Sequence, residues 1–400
     1  MNVIIDGQSL LGKRTGIGRY TYCLAEALRD RPDTRVFVLF NQLIRINRFK
    51  ALTQEIKVRY ANVRYPYKVI RRFWKPNFFY QIPIDIGLKW TNEDTVFHGT
   101  NFVTLPTRKA RKVITIHDLA FMLYPETTDE KIYRHHMKWV PYSAHEADHI
   151  IAVSEHTKQD IMKLLGVSES KISVVYSAAD ARFQPQSKEN IASARQKYRL
   201  PERYVLYVGT LEPRKNIPVL LEAFALAKRK DRFPEKLVIV GAKGWKYHPI
   251  FETVRKSRLQ EDVIFTEYVN EEDLPAIYGG ASLFAFPSLY EGFGLPVLEA
   301  MQAGVPVLAS DISSIPEVAG DAAVLISPHS VEGWSENISQ ILQDEELRLQ
   351  LKNKGLERSR RFSWRRVAEE TIEVYRLALN RNMKLNRMIG SAKKTESASL

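Results

Sequence analysis

One cysteine in 400 residues rules out an internal disulfide, and Cys23 alone cannot build a zinc site. It lies in YTYCLAEAL, a helical pattern in which a buried structural thiol, not a nucleophile, is the expected role. Long apolar runs are missing as well. No stretch reaches the roughly 18 uncharged apolar residues of a membrane span. MNVIIDG reads as a short strand running into polar residues, not as a signal peptide, so a cytoplasmic location is expected. Neither DxD nor HExxH occurs, so no metal is expected and a bound diphosphate would have to be met by side chains and backbone amides. Acidic residues are absent between Glu55 and Asp85.

What is present is an ordinary globular composition, 44% hydrophobic and 26% charged, long enough for two domains. The formal charge of +13 calls for an anionic partner: nucleic acid, acidic lipid or a phosphorylated small molecule. Within 57–80, Lys57, Arg59, Arg64, Lys68, Arg71, Arg72 and Lys75 alternate with Tyr60, Tyr65, Tyr67, Phe73, Trp74 and further aromatics. That mixture suits an anionic membrane surface or a lipid-linked substrate; a solvated basic face over core aromatics is the plainer alternative. No nucleic-acid module accompanies it, so nucleic acid is not expected as a partner.

Apolar strand patterns alternate with helical ones. NVIIDG, RVFVLF, TVFHGT, KVITIHD, ADHIIAVS and KISVVYS form a first set, with helices in TGIGRYTYCLAEALRD and EHTKQDIMKLLG. Ser154 or Thr157 can cap the second of these helices and Gly166 can end it. After a polar, proline-bounded stretch, RYVLYVG, KLVIVG, VIFTEYV, SLFAFPS and VPVLASD repeat the alternation. Strands apolar throughout imply parallel sheets covered on both faces, and the fold class is α/β, two doubly wound Rossmann-like domains facing across a cleft. SWRRVAEETIEVYRLAL is an amphipathic helix in need of a partner surface.

Several motifs place chemistry near that cleft. GQSLLGK has P-loop spacing, but Arg14 stands where a metal-binding hydroxyl belongs. In TGIGRY, Gly16 and Gly18 ease a turn or let the backbone approach a ligand at a helix start. Arg214 and Lys215 lie between a strand end and a helix start, where they either grip a diphosphate or are solvated. His117, after KVITI, either satisfies a loop or bonds a substrate. Glu291 and Glu299 flank the turn GFGLP, in which Pro296 fits the first helical turn. Idle carboxylates in so apolar a setting would be expensive.

Together, TGIGRY (15–20), HD (117–118), ADHIIAVSEHTKQDI (147–161), VGTLEPRKN (208–216) and EGFGLPVLEAMQAGVPVLAS (291–310) closely resemble the retaining glycosyltransferases of family 4, which have the GT-B fold and use nucleotide sugars without a metal. The resemblance implies an N-terminal acceptor-binding domain over 1–180, a connection over 181–203 and a C-terminal nucleotide-sugar-binding domain over 204–362. A helix over 363–380 would cross back to the first domain, leaving a mobile tail over 381–400. It further implies that Glu291 binds donor hexose hydroxyls, that Phe293, Gly294 and Leu295 offer backbone contacts to sugar and phosphate, and that Glu299 binds the ribose. Arg214 and Lys215 would clamp the diphosphate, Gly16 would approach it, and His117 would lie near the C6 hydroxyl. Thr210 occupies a donor-side position where some relatives have arginine, and SAAD (177–180) replaces the common NGVD hinge. The pattern is most similar to bacterial mannosyltransferases of polysaccharide biosynthesis, with GDP-mannose as donor, ahead of UDP-glucose or another UDP-hexose. The acceptor would be a saccharide, lipid-diphosphate-linked, met at the inner membrane face. A metal-free epimerase or phosphorylase, or a non-catalytic carbohydrate-binding protein, are the alternatives.

Overall fold

A computed structural model describes residues 1–11, 16–41, 57–63, 91–107, 109–267 and 269–396, with side chains up to residue 380. Two parallel sheets organise it. The first holds β1 (Asn2–Asp6), β2 (Arg35–Phe40), β3 (Arg59–Asn62), β4 (Thr95–Gly99), β5 (Arg111–Ile116), β6 (His149–Ala152) and β7 (Ile172–Val174) in the order 3-2-1-4-5-6-7. The second holds β8 (Tyr204–Val208), β9 (Lys236–Val240), β10 (Val263–Glu267), β11 (Leu283–Phe286), β12 (Val307–Ser310) and β13 (Val324–Ile326) in the order 10-9-8-11-12-13. Both sheets are doubly wound, and the strand order reverses between β1 and β4 in one and between β8 and β11 in the other. Loops leaving the carboxyl ends of strands at such switch points form crevices where ligands bind.

The central strands are buried along their whole length because helices cover both faces. Every residue of β4, β6, β11 and β12 is buried. In the first lobe the helices include α1 (Gly16–Arg29), α2 (Glu130–Glu146) and α3 (Glu155–Leu165). The second lobe adds α4 (Lys188–Tyr198), α5 (Ile217–Asp231), α6 (His248–Lys256), α7 (Leu274–Gly279), α8 (Leu295–Gln302), α9 (Ile315–Ala319), α10 (Val331–Gln343) and α11 (Glu345–Ser359). The Ser154 hydroxyl accepts from Thr157 N at 3.0 Å to start α3, and Gly166, at φ 63°, ends it in the left-handed region.

The connecting stretch 181–203 holds the eleven-residue helix α4, and Phe183, Ala194 and Leu200 are buried in the second lobe's core. Other elements depart from the sequence expectation. Helix α2 carries only a weak sequence signal, because Pro141 interrupts its pattern and only its last half is buried; its start is set by Asp129, which accepts from Lys131 N and Ile132 N. Strand β3 is an edge strand with three exposed residues, so it carries no apolar signal. Cys23 is only partly buried.

The last helix, α12 (Trp364–Glu396), runs on past Leu379, where the amphipathic pattern ends. Its Val367, Ala368, Ile372, Val374, Tyr375 and Ala378 are buried with Val3, Ile5, Leu24 and Leu28 of the first lobe. Burial of these side chains favours docking of the helix on the first lobe, at about 25 cal/mol per Å² of apolar surface. The chain thus crosses from second lobe to first at Phe362, whose ring meets Tyr176 edge-on at 6.0 Å.

Candidate active site

The two switch-point loops of the second lobe are tied to each other. After β8 the chain turns through Pro213–Lys215, and Asn216, at φ 53°, leads into α5. After β11 the loop runs to Gly294, whose φ of 98° is readily adopted only by glycine, and α8 begins there without a side-chain cap. Leu289 N donates to Arg214 O at 2.9 Å, and Arg214 Nη1 donates to Tyr290 O at 2.6 Å. This brings Lys215 Nζ to 2.5 Å from Glu291 Oε1 and Arg214 Nη1 to 3.4 Å from Glu291 Oε2. Arg214 Nη2 also donates to Glu212 at 2.8 Å. Burial opposes charge on Glu291, but Lys215 and then Arg214 outweigh it and hold the carboxyl below its ordinary range. For Arg214, burial likewise acts against the charge, and Glu291, Asp118 and Glu212 overcome it, raising the guanidinium.

Glu299 belongs to a different cluster. It sits on α8, one turn past Leu295, and is buried. Its Oε1 accepts from Arg19 Nη1 at 2.8 Å, across the cleft from α1, and its Oε2 accepts from Tyr278 OH at 3.0 Å. Burial raises the Glu299 carboxyl, and Arg19 and Tyr278 offset that only in part. A cavity of about 270 Å³ opens here, lined by Gly16 and Arg19 from the first lobe and by Thr210, Glu271, Leu295 and Glu299 from the second. Arg214 and Lys215 thus pair with Glu291, while the cation of Glu299 is Arg19. Arg19 stands inside TGIGRY, beside the glycines that ease the turn. Its signal was a positive charge in the first turn of a helix, the end where the backbone dipole is already positive.

The first lobe closes directly over the Glu291 turn. His117 Nε2 lies 2.8 Å from Thr100 O, and the edge of its ring meets Tyr20 at 4.9 Å. Burial lowers the His117 pKa and favours the neutral ring. The carbonyl oxygen of His117 occupies the space beside Gly292, where a Cβ would stand only 1.6 Å away. In the other direction, Gly292 O accepts from Ser154 Oγ at 2.7 Å and from Thr157 Oγ1 at 3.1 Å. Glu317 of α9 caps α3 across the same seam, accepting from Glu155 N at 2.8 Å and His156 N at 2.7 Å. Tyr290 OH donates to Asp160 at 2.5 Å. Ser154, Thr157 and Glu317 were not foreseen as joining the lobes, because a capping residue serves its own helix equally well without a second lobe.

Phe293 packs its ring against Tyr176 and Phe362, at 6.2 and 5.8 Å between centroids. Its backbone, with Gly294 and Leu295, leads to the uncapped N-terminus of α8, whose free amides and positive dipole end favour a phosphate. Chemically, the cleft offers carboxylates that accept from sugar or ribose hydroxyls and cations and amides that match a diphosphate. Among the described residues, no three His, Cys, Asp or Glu come together as a metal site, and no helix is long and apolar enough to cross a membrane. Of the basic and aromatic stretch 57–80, residues 64–80 lie outside the described residues.

Comparison with known proteins agrees with this architecture. The family description "Glycosyltransferase Family 4" matches residues 14–183, and "Glycosyl transferases group 1" matches residues 189–358. O-antigen chain mannosyltransferase B of Escherichia coli is 32% identical over 381 residues, covering 94% of this chain and 100% of that protein. Serotype-specific mannosyltransferase WbdA of E. coli is 30% identical over 93% of this chain, which spans 48% of WbdA. Among solved structures, sucrose-phosphate synthase from Thermosynechococcus elongatus superposes with TM-score 0.71 at 20% identity, covering 94% of this chain and 98% of its own. Anabaena HepE, solved with UDP and glucose, gives TM-score 0.70 at 18% identity over 93% and 98%.

Proposed function

The chain belongs to the family 4 glycosyltransferases, and from that premise we propose that it transfers mannose from GDP-mannose to a saccharide acceptor of polysaccharide biosynthesis, with retention at the anomeric carbon. The observation that carries the proposal is the meeting of switch-point loops from both lobes around buried, charge-paired carboxylates. The mannose donor rests on the names of the relatives, among them two mannosyltransferases of E. coli.

In this reading Glu299 accepts from the ribose and Glu291 from the hexose hydroxyls. Thr210, Gly16 and the amides of Phe293–Leu295 surround the phosphates, and His117 faces the sugar from the first lobe. The bond from the anomeric carbon to the diphosphate breaks, its electron pair leaving on the phosphate oxygen. Arg214, Lys215 and the α8 N-terminus stabilise the charge that develops there. The acceptor hydroxyl adds from the same face and its proton passes to that departing oxygen, so no separate base is required and no adduct forms at Glu291. Closure of the lobes excludes water and limits donor hydrolysis. The acceptor is a lipid-diphosphate-linked saccharide at the cytoplasmic membrane face, and the basic and aromatic stretch 57–80 attracts the anionic surface.

A UDP-hexose donor is the second reading, favoured by the likeness to a fold solved with UDP and glucose. Transfer assays with GDP-mannose, UDP-glucose and UDP-N-acetylglucosamine, with and without a lipid-linked saccharide, test both. Mannose transfer dependent on acceptor is expected. Transfer from a UDP-sugar alone replaces the donor assignment, and rapid epimerisation without acceptor overturns the transferase chemistry proposed for the site.

A further inference from the structure

Arg19 occupies an electrostatically awkward place. It lies in the first turn of α1, where a cation opposes the helix dipole, and only 17% of its side chain is exposed. Its Nη1 is committed to Glu299 at 2.8 Å, its Nη2 stands 4.0 Å from Glu271, and its Nε is buried without a hydrogen-bond partner. Glu299 has a donor on each oxygen, Arg19 on one and Tyr278 on the other. The nucleotide's ribose, in the function proposed above, needs that same carboxylate. Arg19, Glu271 and Glu299 line the cleft cavity, and Arg19 and Glu299 come from opposite lobes.

We infer that Arg19 is an exchange latch of the donor site: it holds Glu299 and the two lobes together in the free enzyme, and it passes from that carboxylate to the donor's diphosphate when the ribose takes Glu299. The physical requirement is charge balance. An arginine freed from Glu299 would be left buried with only the more distant carboxylates of Glu271 and Asp180 acting on it and with its Nε still unpaired, which is costly unless another anion arrives. A diphosphate supplies that anion and matches the planar fork of the guanidinium. A nucleoside brings the ribose that displaces Arg19 but nothing to receive it. The latch therefore selects diphosphates over nucleosides from the ribose side of the cleft, independently of Arg214 and Lys215, and this selection rests on the donor site assigned above.

Calorimetric titration of the full chain with GDP and guanosine, and with UDP and uridine in parallel, tests the exchange. In Arg19→Gln, affinity for the preferred diphosphate should fall roughly ten- to hundredfold, as for loss of a charge-assisted hydrogen bond. Binding of its nucleoside should hold or tighten, since Glu299 is no longer occupied. Arg19→Lys keeps the charge without the fork and should lose less diphosphate affinity than Arg19→Gln; this milder variant also reports on the latch if the glutamine variant fails to fold. An unchanged ratio of diphosphate to nucleoside affinity in a folded variant, or an equal loss of both, overturns the role of Arg19 and leaves the donor site standing. If the wild-type chain binds neither GDP nor UDP, the donor site itself is wrong and the latch falls with it.

Discussion

Gly292→Ala probes how closely the lobes must approach. A Cβ at this position would lie 1.6 Å from the carbonyl oxygen of His117 and 2.9 Å from Asp118 Cβ, whereas ordinary contact begins near 3.4 Å. The seam must therefore widen by about 2 Å, because the obstacle is backbone at the end of a buried strand and cannot swing aside. Such a shift carries Gly292 O out of range of Ser154 and Thr157, now at 2.7 and 3.1 Å. Two hydrogen bonds at about 0.5–1.5 kcal/mol each are lost, beside the roughly 1–3 kcal/mol usual for overpacking. Each lobe keeps its own core, so the damage falls on closure more than on folding. Displacing reacting groups by about 1 Å already costs on the order of a hundredfold. Steady-state transfer kinetics should show kcat/KM down by at least that factor, with a thermal midpoint lower by only several degrees. Turnover within about threefold of wild type would refute the inference that the lobes work in this closed register.

Three other outcomes follow from the buried polar groups. Glu291→Gln removes the carboxylate that neutralises Lys215 and Arg214 and should cost about 3–5 kcal/mol in urea unfolding; a loss below about 1 kcal/mol would contradict the paired geometry. Because its folded pKa is depressed, the Glu291 contribution is complete above the ordinary carboxylate value and disappears as pH falls through the lower folded value. The stability gap between wild type and Glu291→Gln should accordingly close in acid, and a gap constant with pH would exclude a titrating contribution. Tyr375→Phe strips the hydroxyl that lies 2.8 Å from His98 Nδ1 and should lower stability by about 1–3 kcal/mol, whereas no change would mean α12 docks without that bond. His98 is pushed down to about 3, by burial and then by His117, so stability is complete above its unfolded value and declines as pH falls from there toward the folded one. Replacing it with glutamine should flatten that slope in acid unfolding curves, and an unaltered slope would assign the titration elsewhere.

Most strands of the two sheets are legible because they are largely apolar runs bounded by turns. The motifs on the strand-end loops were visible for the same reason: glycine, paired cations and lone acids at the edge of apolar runs have few purely structural uses. Elements that bury only part of their surface were not visible. Strand β3 at a sheet edge and α2 with its internal Pro141 carry weak periodicity, so packing and not local pattern specifies them.

From sequence alone came the α/β architecture, the family and the loops that carry the chemistry, since these depend on local periodicity and on residue types at fixed spacing. The pairing of charges required the tertiary structure. Arg19 and Glu299 are 280 residues apart, and Ser154 and Gly292 are 138 apart. Nothing in local sequence dictates which cation neutralises which carboxylate, because that follows from how two separately folded sheets face each other. Folding places Lys215 on Glu291 and Arg19 on Glu299, and it brings the His117 carbonyl so near Gly292 that no side chain fits between them.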